Sequence, residues 1–167
     1  MRSILLLSMA LAAALPLAVT AQSSTNAPAT EIESFDLQTD AVIVKGTGQI
    51  GSIATEAGTI LVRCRESDNV ASGQKQYAIA IGIQANQSRL VLWVDYDELD
   101  ALIQGMNFLS KVNFEVTTMP SFDAIITTRS GFRAGARSER QKGSIQLFAQ
   151  FQNAIQVPLT PAEFAQL

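Results

Sequence analysis

Histidine is absent from this 167-residue chain, and there is a single cysteine. Without imidazole there is no Ser-His-Asp or Cys-His nucleophilic machinery, no histidine metal site and no histidine pH switch. With one thiol no intramolecular disulfide can form, so an oxidising compartment is permitted but not exploited. Aromatic residues make up 7%, with Trp93 the one tryptophan, and the net charge is −3. A mildly acidic, aromatic-poor chain argues against nucleic acid and anionic membranes as partners. Beyond residue 21 no apolar run approaches the roughly 20 residues that span a bilayer, so no membrane span is expected in the mature chain.

The one long apolar run lies at the start. Arg2 precedes an apolar stretch over residues 4–15, Pro16 ends it, and Val19-Thr20-Ala21 places compact residues at −3 and −1 of a cleavage point. The pattern predicts a secretory signal peptide over 1–21, a mature chain beginning at Gln22, and export to the periplasm or outside the cell. No cysteine stands at the expected cleavage point, where a lipid-modified N-terminus would require one, so none is expected. Residues 22–31 are rich in Ser, Thr, Asn, Ala and Pro and predict a flexible tether. Residues 32–167 then form a single α+β domain.

Within that domain apolar residues recur with period two over 41–45, 59–65, 76–84 and 89–94, with turns expected at 46–51, 67–73 and 86–88. The period then lengthens. Leu99, Leu102, Ile103, Met106 and Leu109 fall on one helical stripe within 95–111. Asp95 is placed to cap that helix, with Glu98 as its capping-box partner and Val94 and Leu99 as a hydrophobic staple. Period-two runs resume over 113–118, 123–128, 131–138, 143–151 and 154–158. The chain closes with Thr160, Pro161 and Glu163, a second cap, first-turn proline and box partner. Residues 90–102 align without gaps on 155–167, with Asp95 on Thr160, Glu98 on Glu163 and Leu99 on Phe164. The fold class is therefore α+β: antiparallel sheet with two helices in the order strands, helix, strands, helix, a pattern that allows a ββββα pseudo-repeat.

Two resemblances follow from these stretches. DYDELDALIQGMNFLSKV with FDAIITTRSGFRAG, within roughly residues 90–136, resembles a signature of small exported bacterial proteins of unassigned activity, and carries over no catalytic residue. The order of four strands and a helix, taken twice, is similar to the Whirly and Pur-alpha type of single-strand nucleic acid binder. Those proteins use basic and aromatic residues on curved sheets. Here the likeness implies architecture only, because this chain is acidic and aromatic-poor.

Three clusters are candidate sites. Asp95, Asp97, Glu98 and Asp100 could present oxygens to calcium, but D-x-D-E-x-D lacks the glycine and terminal glutamate of an EF-hand loop. Capping and dipole compensation explain the four better, so no metal ligand is assigned. The arginines are the second cluster. Residues 116–150 hold five basic and two acidic residues, while residues 22–115 hold six basic and twelve acidic. In FRAGAR, Arg133, Gly135 and Arg137 share one strand face opposite Phe132, Ala134 and Ala136. With Arg129 they form the candidate interaction face, fit for an acidic protein or anionic surface. Gly135 between them would let a partner approach the backbone. The third is Cys64, expected in the core with Ile60 and Val62, with Arg63 and Arg65 on the opposite face. Asn86-Gln87-Ser88 also matches a glycosylation sequon.

The sequence thus predicts a non-catalytic exported interaction or structural module of unknown partner, with no cofactor and no catalytic residues. The alternative is a small-ligand or anion-binding protein using Arg133 and Arg137. A carboxylate-only hydrolase is the third reading.

Overall fold

The period-two runs become strands that pair with their neighbours in sequence. The computed structural model of the protein describes residues 28–85 and 88–167. Strands β1 (Ile43–Thr55), β2 (Gly58–Asn69), β3 (Gln74–Ala85) and β4 (Ser88–Asp95) make one antiparallel sheet in that order. Strands β5 (Ser121–Thr127), β6 (Phe132–Glu139), β7 (Ser144–Phe151) and β8 (Ile155–Leu159) make a second in the same way. A helix precedes the first sheet, α1 (Glu31–Asp36), and one follows each sheet, α2 (Leu99–Leu109) and α3 (Pro161–Gln166). The expected α+β class and antiparallel pairing are observed. The expected signal peptide, the tether up to residue 27 and Asn86 of the sequon lie outside the described residues. Thr30 and Glu31, expected in the tether, instead cap and open α1.

One core serves both sheets. Ile53, Ile60, Ile81, Ile83, Leu92 and Val94 from the first meet Phe132, Ala134, Phe151, Val157 and Leu159 from the second. Helix α2 leaves the first sheet and lies against β5 and β6 of the second, α3 reaches β1 of the first as well as β7 and β8 of its own, and α1 packs on β2, β3 and β4. Leu102 and Leu109 are buried, but Ile103, expected on the stripe, is 55% exposed. The reason is Gly105. An added Cβ there would sit 2.4 Å from Ile126 Cδ1, so the helix rolls its bare glycine face onto β5 and turns Ile103 out.

Two expected boundaries differ. Residues 46–51 continue β1 instead of turning, with a bulge between Gln49 and Gly51 absorbing the extra residue. Residues 113–118 form no strand, because the Asn113 side chain accepts the Glu115 amide and bends the chain. Cys64 is exposed, not in the core. Alternation puts it in the row of Ile60 and Val62, but its neighbour on β1 is Gly48, which has no side chain to cover it.

Candidate functional site

The alternation read in FRAGAR is present: Phe132, Ala134 and Ala136 are fully buried and Arg137 points to solvent. Register then decides what each outward residue meets. Asp123, Arg137 and Gln146 form one row across β5–β7; Ile125, Gly135, Phe148 and Pro158 form the next. Arg137 Nε donates to Asp123 Oδ1 at 2.9 Å, and that bond, with the attraction of the carboxylate, raises the guanidinium's pKa against a smaller opposing effect of burial. Its Cζ also lies 5.6 Å from the centroid of Phe148. The space left by Gly135 is not open to a partner. A Cβ there would come 2.4 Å from the Phe148 ring, which is 1% exposed. Arg133 is half-buried and makes no ion pair among the described residues.

Arg129 belongs elsewhere. It sits in the β5–β6 connection and reaches back to the start of α2, where the expected acidic cluster lies. Its guanidinium pairs with Asp97, with Glu98 at 3.3 Å, with Asp95 at 3.5 Å and with Glu31 at 3.6 Å. Its backbone N–H donates to Glu98 Oε1 at 2.8 Å. Partial burial opposes the charge, but the Asp97 bond and the surrounding carboxylates outweigh it and raise the pKa. These carboxylates therefore surround a cation that the chain itself supplies. Arg129 and Arg137 are neutralised within the molecule, and only Arg133 of the expected face is unpaired among the described residues.

Asp95 also departs from expectation. It does not cap α2, which starts after a 3-10 turn over Tyr96–Glu98. Its fully buried carboxylate instead accepts the Glu31 and Ile32 amides at 2.7 and 3.1 Å, closing the N-terminus of α1. At the other end of α1, Asp36 takes Ser67 Oγ at 2.7 Å, pairs with Arg65 and lies 3.1 Å from Lys45 Nζ. Ile32, fully buried, anchors the helix between these contacts. Thus α1 is fastened over one end of the outer face of the first sheet.

The other end of that face stays open and holds a site that sequence reasoning missed. Its rows are Arg63–Ala80–Trp93 and Leu61–Gly82–Val91, with Arg89 one row further on opposite Gln84. They enclose a trough of about 200 Å³, with Thr47 and Cys64 at its margin. The middle strand contributes Ala80 and Gly82, so the floor is nearly bare backbone. Trp93 forms a wall, its ring capped by the Arg65 guanidinium 4.7 Å from the centroid. Arg65 is committed to Asp36, whereas Arg63 and Arg89 make no ion pair among the described residues. The sequence signal available was the outward placement of Arg63. Its neighbours across three strands could not be read without register. A wider depression of about 520 Å³ lies around Asp123 and Arg137, but those two charges already satisfy each other.

Compared with known proteins, the chain matches no family model, no curated protein and no solved structure.

Proposed function

We propose that this protein is an exported, non-catalytic binding module that recognises an anion on the outer face of its first sheet. One observation carries the reading: in a chain of net charge −3, Arg63 and Arg89 border an apolar trough with no carboxylate partner among the described residues, while Arg65, Arg129 and Arg137 are all paired. No carboxylate or lysine lines the trough, so no general base stands there to activate the Thr47 hydroxyl as a nucleophile. Export is proposed from the pattern of residues 1–21. The twofold order of four strands and a helix supports a layout of the Whirly and Pur-alpha type as a proposal for fold alone.

A thermal-shift panel of organic anions, their neutral isosteres and cations tests the function. A ligand that binds only the folded state raises Tm by mass action. Anions should raise Tm in the mature protein and not in Arg63→Glu/Arg89→Glu, whose unliganded stability should lie within about 0.5 kcal/mol of wild type. Equal response to anions and neutral isosteres would contradict it. Fractionation of cells making the full chain should recover a product starting at Gln22 outside the cytoplasm; a cytoplasmic product retaining Met1 would contradict export. A second reading, capture of an acidic protein on the second sheet, rests on Arg133, which makes no ion pair among the described residues, and predicts loss of capture in Arg133→Glu.

A further inference from the structure

We propose that the trough on the first sheet is a site for a small organic carboxylate with a flat apolar body. The inference rests on the anion-binding function above and names its ligand. Size is the first constraint. About 200 Å³ is below the roughly 300 Å³ at which drug-sized pockets begin. The site suits a molecule the size of one aryl group and its acid, not a polymer segment.

The floor sets the shape. Ala80 and Gly82 sit side by side on the outer face of β3, and Gly82 is tight: a Cβ there would lie 3.2 Å from Val91 Cγ2 and 3.3 Å from the Leu90 carbonyl oxygen. A flat group laid on this bare backbone meets Leu61 and Val91 on its flanks and the Trp93 indole as a wall. Arg65 stacks on the indole and is itself fixed by Asp36, so the wall is oriented before any ligand arrives. Aromatic pairs of this kind gain geometry-specific contact beyond area.

Charge sets the head group. Arg63 and Arg89 stand at opposite corners, separated by about 13 Å along the strands and about 10 Å across them at ordinary strand spacings. Their long side chains can both bend inward over the floor. A guanidinium offers a planar fork that matches a carboxylate. An inorganic anion would leave the apolar floor unused. An uncharged aryl compound would leave the two guanidiniums unpaired.

Trp93 is the one tryptophan of the chain, so the intrinsic fluorescence of the mature protein reports on this wall. The probes are 3-phenylpropionate, its neutral amide, acetate, inorganic phosphate and an oligothymidylate. The expected result is a saturable change with 3-phenylpropionate, with each other probe weaker by at least about tenfold. Arg63→Gln and Arg89→Gln should each weaken 3-phenylpropionate by about tenfold, as loss of a charged hydrogen bond implies. Ala80→Leu, which fills the floor, should abolish binding, with folding checked by circular dichroism. Arg133→Gln should leave affinity unchanged. Equal binding of acid and amide would overturn the proposal, as would indifference to both Arg63→Gln and Arg89→Gln, or a stronger response to the oligothymidylate. If 3-phenylpropionate fails while other anions in the thermal panel still stabilise wild type but not the double variant, the ligand class is wrong and anion binding stands. If no anion stabilises, both fall.

Discussion

The two halves of the molecule share an order of elements and differ in what fills their outer faces. In the second sheet the middle position of β7 is Phe148, which lies over Gly135 and under Arg137, and Arg137 is tied to Asp123. In the first sheet the matching stretch of β3 carries Ala80 and Gly82, leaving a trough rimmed by Arg63 and Arg89, which make no ion pair among the described residues. The strand-to-helix junctions diverge in the same way. Thr160 caps its own helix with a complete capping box, while Asp95, its counterpart in sequence, has turned to another helix. A single backbone plan thus yields a closed face and an open one through a few side-chain choices. The face expected from the clustered arginines is the closed one.

The largest effect is expected at the short helix of the second half. A six-residue helix cannot hold itself in water, and α3 depends on Phe164, which is 1% exposed. Phe164→Ala should cost about 3–5 kcal/mol in urea unfolding. A cost below about 1 kcal/mol would mean that α3 is not part of the core.

Asp95→Ala should cost about 2–4 kcal/mol, since it orphans two amides of α1 and removes a buried partner of Arg129. Hydrogen exchange should show Glu31 and Ile32 losing protection while α2 keeps its own. Loss of protection in α2 instead would restore Asp95 as the cap of the following helix. Thr160→Ala is the paired test. It should cost about 1 kcal/mol and loosen α3 alone.

These contrasts mark what could be read from the sequence. Local patterns survived: the alternation of Phe132, Ala134 and Ala136, the stripe residues Leu102 and Leu109, and the box of Thr160 and Glu163. Helix α1 was legible in principle, because Thr30 and Glu33 form a capping box. Its six residues are too few to show a stripe, and they follow a polar stretch. Ile103 failed because a glycine two residues later took the contact face. The trough was hidden for a different reason. Arg63, Gly82 and Trp93 are far apart in sequence and become neighbours only through the register of three strands. Register likewise put Asp123 beside Arg137, which no inspection of FRAGAR alone could reveal.

The smallest effect concerns acid. The Thr160 backbone N–H, donated at 2.7 Å, lowers the pKa of Glu163 below its ordinary value, with the Thr160 side chain adding to this. A carboxylate lowered in the folded state adds stability above its unfolded pKa and loses it as pH falls through the lower folded one. Wild type should therefore lose some Tm on acidification below the ordinary glutamate range, and Glu163→Gln should lose less over that window. Identical slopes would show that the box carries no charge-dependent stability.

The open face of the first sheet, not the arginine strand of the second, is the proposed working surface. Backbone amide and indole NMR shifts of the mature protein, followed during titration with 3-phenylpropionate, test it most directly. Perturbations should gather on Leu61, Arg63, Gly82, Arg89, Val91 and the Trp93 indole, and fade in Arg63→Gln. Perturbations centred on Arg133, Gly135 and Arg137, with the first sheet silent, would contradict it.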